Sequence, residues 1–94
     1  MVVGIMEVQL ALVADSLKGK RHVVRPLIER LRRTYHVAVS EVADQDLWGN
    51  ATLGIVTVSN DIVQVESLFN RIESSMAESP QIEIRNVWRE IERR

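Results

Sequence analysis

Apolar and polar positions alternate with period two from Val2 to Val13. Met6, Val8, Leu10 and Leu12 share one face, and Val3, Ile5, Glu7, Gln9 and Ala11 share the other. That period predicts a β-strand, and the apolar start of the second face predicts cover on both sides over part of its length. Beyond Ser16 the period changes. Leu17, Val24, Leu27, Ile28 and Leu31 recur at three-, four- and seven-residue spacings, the pattern of an amphipathic helix with Asp15 or Ser16 as its cap. Pro26 interrupts this pattern. It removes one backbone donor and crowds the preceding turn, which predicts a kink or a helix that becomes regular only after Gly19.

His36 to Ala43 reads as a second strand, Asp44 to Asn50 as a connection containing Gly49-Asn50, and Ala51 to Ser59 as a third strand rich in β-branched residues. The short connection predicts a hairpin. Ser59, Asn60 or Asp61 caps a second helix whose stripe is Ile62, Val65, Leu68, Phe69, Ile72 and Met76, and Ser79-Pro80 ends it. A fourth strand begins near Gln81, and the tail from Asn86 to Arg94 either extends it or turns helical. Strand, helix, strand, strand, helix, strand predicts an α+β fold. Specifically, it is the ferredoxin-like βαββαβ sandwich, a four-stranded antiparallel sheet with two helices on one face. The helix-free face then meets water or a partner. Several of its residues are apolar, so a homo-oligomer, most simply a dimer, is expected.

Ninety-four residues, 46% of them apolar and 27% charged, fit one soluble domain spanning residues 1–94, with no linker-like or low-complexity run. The absence of cysteine excludes disulfides, thiolate nucleophiles and cysteine-ligated metal sites. The first residues lack the basic region of a secretory signal, and no apolar run reaches the roughly 20 residues that cross a bilayer. A cytoplasmic protein with no membrane association is the expectation.

Charge changes the picture more than composition does. Seven of the twelve Lys and Arg residues lie between Ser16 and Tyr35, opposed there only by Glu29, while the rest of the chain holds five Arg and twelve acids. The formal net charge of −1 hides a basic first helix on an acidic body, and it is the local field that governs encounters with charged partners. At 100° per residue Lys18, Arg21, Arg25 and Arg32 fall within a stripe about 60° wide and about 21 Å long, beside the apolar face. Such a row can follow several phosphates. Lys20 falls inside the apolar face, where its head must snorkel out if the first turn is helical.

Three strings carry a resemblance: Asp15-Ser16-Leu17-Lys18-Gly19-Lys20-Arg21, Glu41-Val42-Ala43-Asp44-Gln45-Asp46-Leu47-Trp48 and Val58-Ser59-Asn60-Asp61. In this order and spacing the chain resembles the YlxP-like family of small bacterial proteins, a domain of unknown function. Gly19 is a departure, standing where that family carries an acid such as Glu between the two Lys. The resemblance implies the ferredoxin-like fold, a bacterial cytoplasmic setting and, in some genomes, neighbouring genes for translation and ribosome maturation. It supplies no catalytic residue.

The remaining candidates for chemistry are sparse. Asp44 and Asp46 would point the same way on an extended segment and could share a divalent cation or act as an acid pair, but turns also use Asp for local hydrogen bonds. This acidic loop could instead meet the basic helix of a neighbouring protomer. Trp48 and Trp88 are expected to pack. The first and third strands hold no aromatic residue on which a base could stack, which disfavours the base-stacking mode of RNA-recognition sheets. His22 and His36 have no second ligand at metal spacing, and Ser16, Ser40 and Ser59 lack a nucleophile motif. No catalytic residue, cofactor site or metal site is therefore assigned. The expected function is a non-enzymatic one, binding of structured RNA or a ribosomal particle through phosphate contacts of Lys18, Lys20, Arg21, Arg25 and Arg32. The competing expectation is a homo-oligomeric small-molecule-sensing or protein-interaction domain that uses its open sheet face.

Overall fold

The computed structural model describes all residues 1–94. The elements are β1 (Val2–Leu12), α1 (Leu17–Tyr35), β2 (Ala38–Ala43), β3 (Asn50–Ser59), α2 (Ile62–Ala77) and β4 (Ile82–Arg93). The four strands form one antiparallel sheet in the order β2-β3-β1-β4. This is the ferredoxin-like arrangement the sequence predicts, with β1 and β3 central because the β1-α1-β2 crossover passes over β3 and the β3-α2-β4 crossover passes over β1.

The period-two pattern of β1 sets the layering. Val2, Gly4, Met6, Val8, Leu10 and Leu12 face the helices and are buried. Pairing carries that phase outward: Met6 lies opposite Ile55, Val8 opposite Leu53 and Leu10 opposite Ala51. Val23, Val24, Leu27 and Leu31 of α1 and Val65, Phe69, Ile72 and Met76 of α2 close the core from above. Gly4 is required where it stands. A Cβ there would collide with Val65 and come within 2.9 Å of Phe69 Cζ, so the missing side chain is what lets α2 sit down on the sheet.

Both helix starts are chemically specified. Ser16 Oγ accepts from the Gly19 amide at 3.0 Å, and Asp61 Oδ1 accepts from the Val63 amide at 2.9 Å, each satisfying one otherwise orphaned donor. With Ser16 in place α1 is regular from Leu17, before Gly19, and runs through Pro26. The expected late start does not occur. Proline costs the helix the bond to the His22 carbonyl, and because both residues are exposed water can take that bond's place. The helix ends on His36 in the left-handed region, φ 54°, its amide donating to Arg32 O at 2.9 Å.

The open tail resolves as strand: β4 extends to Arg93. Its register against β1 shifts between Gln9 and Leu10, so the inward phase changes from Ile82 and Ile84 to Val87, Arg89 and Ile91. Arg89 thus faces α2, where it reaches Glu73 at 2.6 Å and Asn70 at 3.0 Å and lies 5.8 Å from the Phe69 ring centre. The helix-free face carries Val3, Ile5, Val56 and Val58 beside Glu7, Trp88, Glu90 and Glu92.

Candidate functional site

Packing of Val23, Val24, Leu27 and Leu31 against the sheet fixes which side of α1 meets solvent. Lys18, Arg21 and Arg25 are exposed on that side and take part in no intramolecular ion pair. Arg32 is half-exposed but committed. One end of its guanidinium donates to Val39 O at 2.7 Å and the other to Glu29 at 3.2 Å, which anchors the end of α1 to β2 and partly neutralises the charge.

Lys20 requires a correction. Its side chain is only 4% exposed, so it is not available for the phosphate contact expected of it. The position inside the apolar face, visible in the sequence, turns the stem inward between α1 and β2. There the ammonium meets Glu41 Oε2 at 2.7 Å and donates to the carbonyls of Asp44 and Leu47, both at 2.6 Å. The loop carbonyls take its hydrogen bonds, and Glu41 is its ion-pair partner. A more distant contact reaches Gln45 O at 3.4 Å.

The loop it holds has its own local logic. The register of β2 shifts between Glu41 and Ala43, and Asp44 then adopts φ 66°, a left-handed conformation that Asp tolerates better than most residues. Asp44 Oδ2 accepts from Thr52 Oγ1 at 2.6 Å while its carbonyl accepts from the Leu47 amide at 3.0 Å. The Asp44 carboxylate is thus occupied with the turn itself. No group of three or more His, Asp or Glu side chains is placed to hold a metal ion. The acidic loop lies against the basic helix of its own chain, and it uses up Lys20 while leaving Lys18, Arg21 and Arg25 free.

Helix and clamped loop together enclose a groove of about 440 Å³. Arg21 and Arg25 form one wall, Gln45 and Asp46 the other, and Leu17 and Ile28 line the space between. The groove joins elements far apart in sequence, so helical angles alone do not reveal it. Arg33 is also exposed and free of ion pairs. It lies about 60° from Lys18 by helical angle, on the far side from Arg21, which placed it outside the narrow stripe.

The two Trp residues are a second correction. Trp48 is 51% and Trp88 49% exposed, not packed as expected. Trp48 belongs to the clamped turn, outside the layer between helices and sheet. Trp88 pairs with Glu7 on the face that carries no helix, a placement set by the phase change in β4. His22 and His36 are both exposed.

Comparison with known proteins bears on family and fold. A family described as "Protein of unknown function (DUF503)" matches residues 3–89. The chain belongs to that family. It is 36% identical over 70 residues to the uncharacterized protein YlxP of Bacillus subtilis (strain 168), a match covering 74% of this chain and 76% of YlxP. Among solved structures it is similar to a de novo designed protein, LFR1 1, with ferredoxin fold. That likeness has a TM-score of 0.57 at 16% identity and covers 100% of this chain and 88% of the design. It concerns the fold alone. No helix of the chain is long and apolar enough to cross a membrane.

Proposed function

We propose that the protein is a non-enzymatic accessory factor that binds structured RNA, or a ribosomal particle, through the outer face of α1. One observation carries the reading: Lys18, Arg21 and Arg25 stand exposed and unpaired along one side of a helix whose position is locked by core packing and by the Arg32 and Lys20 anchors. Surface cations ordinarily find partners or alternate with acids, and here three remain unneutralised in a row. A preorganised row of cations suits a preorganised row of phosphates, with Arg contributing two-pronged contacts. Binding of this kind reads backbone and shape more than bases. The helix-free face supports no base-stacking platform of the usual kind, because its central strands β1 and β3 hold no aromatic residue.

Fluorescence anisotropy with ribosomal RNA fragments, single-stranded RNA and duplex DNA tests the reading. Tight, salt-sensitive binding to structured RNA that is lost in Arg21→Glu/Arg25→Glu supports it, and no binding at low salt refutes it. A second reading, a homo-oligomeric sensing or interaction domain, draws on Val58, 64% exposed, next to Val56 along β3, with Trp88 farther across the same open face. If it holds, Val58→Lys dissociates an oligomer in analytical ultracentrifugation and the charge-reversal variant does not.

A further inference from the structure

The sheet carries apolar residues on both faces, and the helices cover only one. On the open face Val3 and Ile5 of β1 lie opposite Val58 and Val56 of β3. They form an apolar block two strands wide, with Val56 and Val58 exposed and Val3 and Ile5 half-buried. An apolar surface left uncovered in this way marks an interaction site. Next to the block on β4, Glu92 lies opposite Val3, Glu90 opposite Ile5 and Trp88 opposite Glu7. One long side of the block is therefore bordered by carboxylates. Along the other side β2 presents Ala38 and Ser40, which carry no charge.

Charge decides between the occupants such a face could take. Glu7 and Glu90 enter no ion pair, and Glu92 has only Arg94, at 2.9 Å. Packed against a second copy of itself, the face would gather two sets of these carboxylates with no unpaired cation among them, and like charges brought together across an interface are costly. Nucleic acid and anionic lipid are repelled by the same field. A cationic partner satisfies the carboxylates and Trp88 together, since an indole attracts a guanidinium or ammonium to its ring face. Shape narrows the partner further. A sheet face is closed by a helix or by another sheet. With strands about 5 Å apart, a helix about 10 Å across seated on the apolar block sets one flank above β4. Carboxylates two residues apart on a strand are about 7 Å apart, and cations four residues apart on a helix are about 6 Å apart, so one basic flank can meet Glu90 and Glu92 in succession.

We infer that the open face is a docking surface for a cationic amphipathic helix of another protein, its apolar stripe on Val3, Ile5, Val56 and Val58 and its basic flank along Glu90, Glu92 and Trp88. This takes up the interaction reading of the open face, with a foreign helix in place of a second copy, and is independent of RNA binding by α1. The probe is a synthetic helical peptide with a leucine stripe flanked on one side by arginines, and its control carries glutamates in their place. NMR of the full chain follows the titration. Saturable shifts confined to amides of β1, β3 and β4 and to the Trp88 indole Nε–H are the expected result, with none for the control. Binding should weaken roughly ten-fold in Glu7→Gln/Glu90→Gln and stay unchanged in Arg21→Glu/Arg25→Glu. Both glutamates are exposed, and the backbone spectrum of the variant reports that the fold is kept. Absence of these shifts, an equal response to the control, or binding that Glu7→Gln/Glu90→Gln leaves intact overturns the proposal. So does sedimentation of the free protein as a dimer that Val58→Lys divides, which assigns the face to a second copy. Failure of α1 to bind RNA alters none of these outcomes.

Discussion

The Lys20 ammonium lies 2.7 Å from the Glu41 carboxylate, across a sequence gap that brings the start of α1 to the middle of β2. Two loop carbonyls accept its hydrogen bonds at 2.6 Å. A charge this buried is retained because it is paired and hydrogen-bonded, and removing it strands a carboxylate and two carbonyls together. Lys20→Met is expected to lower the unfolding free energy by about 3 kcal/mol, measured by urea denaturation. Lys20→Met/Glu41→Met is expected to lose less than the sum of the two single changes, because the two groups share one interaction. Strict additivity would show that the pair is not coupled.

Gly4 and Gly54 look alike in sequence and differ in what surrounds them. At Gly4 an added methyl meets Val65 and Phe69, both fully buried parts of α2. At Gly54 it meets Val42 Cγ1 at 2.9 Å, but Val42 is half-exposed on the open face and free to turn away. Gly4→Ala is expected to cost about 1–3 kcal/mol through overpacking. Gly54→Ala is expected to be near neutral, since alanine in a strand also orders the chain better than glycine. Thermal unfolding of the two variants side by side decides it, and equal losses would contradict the layering described here.

Glu90 and Glu92 sit two residues apart on the same face of β4, with Arg94 beyond. The hydrogen bond between the two carboxyls, and then the negative charge of Glu92, raise Glu90 above the ordinary glutamate value. A hydrogen bond from Arg94 chiefly lowers Glu92, aided by the bond from Glu90. Site-resolved NMR titration should therefore find Glu92 losing its proton at lower pH than Glu90. Arg94→Ala should raise Glu92 and narrow the gap. The signs differ for stability. The raised Glu90 favours the folded state below its unfolded value, a contribution lost as pH rises through its folded value. The lowered Glu92 favours folding above its unfolded value, a contribution lost as pH falls. Glu90 is exposed and Glu92 about one-third exposed, so these opposed effects belong to local titration, and a reversed order of titration would contradict the geometry.

The elements of the fold are legible in the chain wherever a single period holds. The alternation of Met6, Val8, Leu10 and Leu12 and the stripe of Val65, Phe69, Ile72 and Met76 place β1 and α2 without further information. Legibility fails where the period itself changes. Ile82 and Ile84 suggest one inward phase, but the shift beside Asn86 hands that role to Val87 and Ile91 and turns Trp88 outward. Trp88, expected to pack, therefore lies half-exposed.

The site divides in the same way. Lys18, Arg21 and Arg25 follow from helical angle, because exposure of a helix side is a local property. Lys20 announces itself only as an anomaly, a cation among apolar positions. Its partners lie 24 and 27 residues away, at a bulge and a left-handed Asp44 that no periodicity encodes.

The most direct test of the proposed role compares the salt dependence of RNA binding in three proteins: the wild type, Arg21→Gln/Arg25→Gln and Lys20→Met. Each phosphate contact adds about 0.7–0.9 to the slope of log K against log salt. Removing two contacts should flatten the slope by about 1.4–1.8, while Lys20→Met, kept folded at the temperature of the measurement, should leave the slope unchanged. A slope that persists in Arg21→Gln/Arg25→Gln, or one that falls by a full contact in Lys20→Met, would contradict the assignment of phosphate binding to the outer face of α1 and of Lys20 to the clamp.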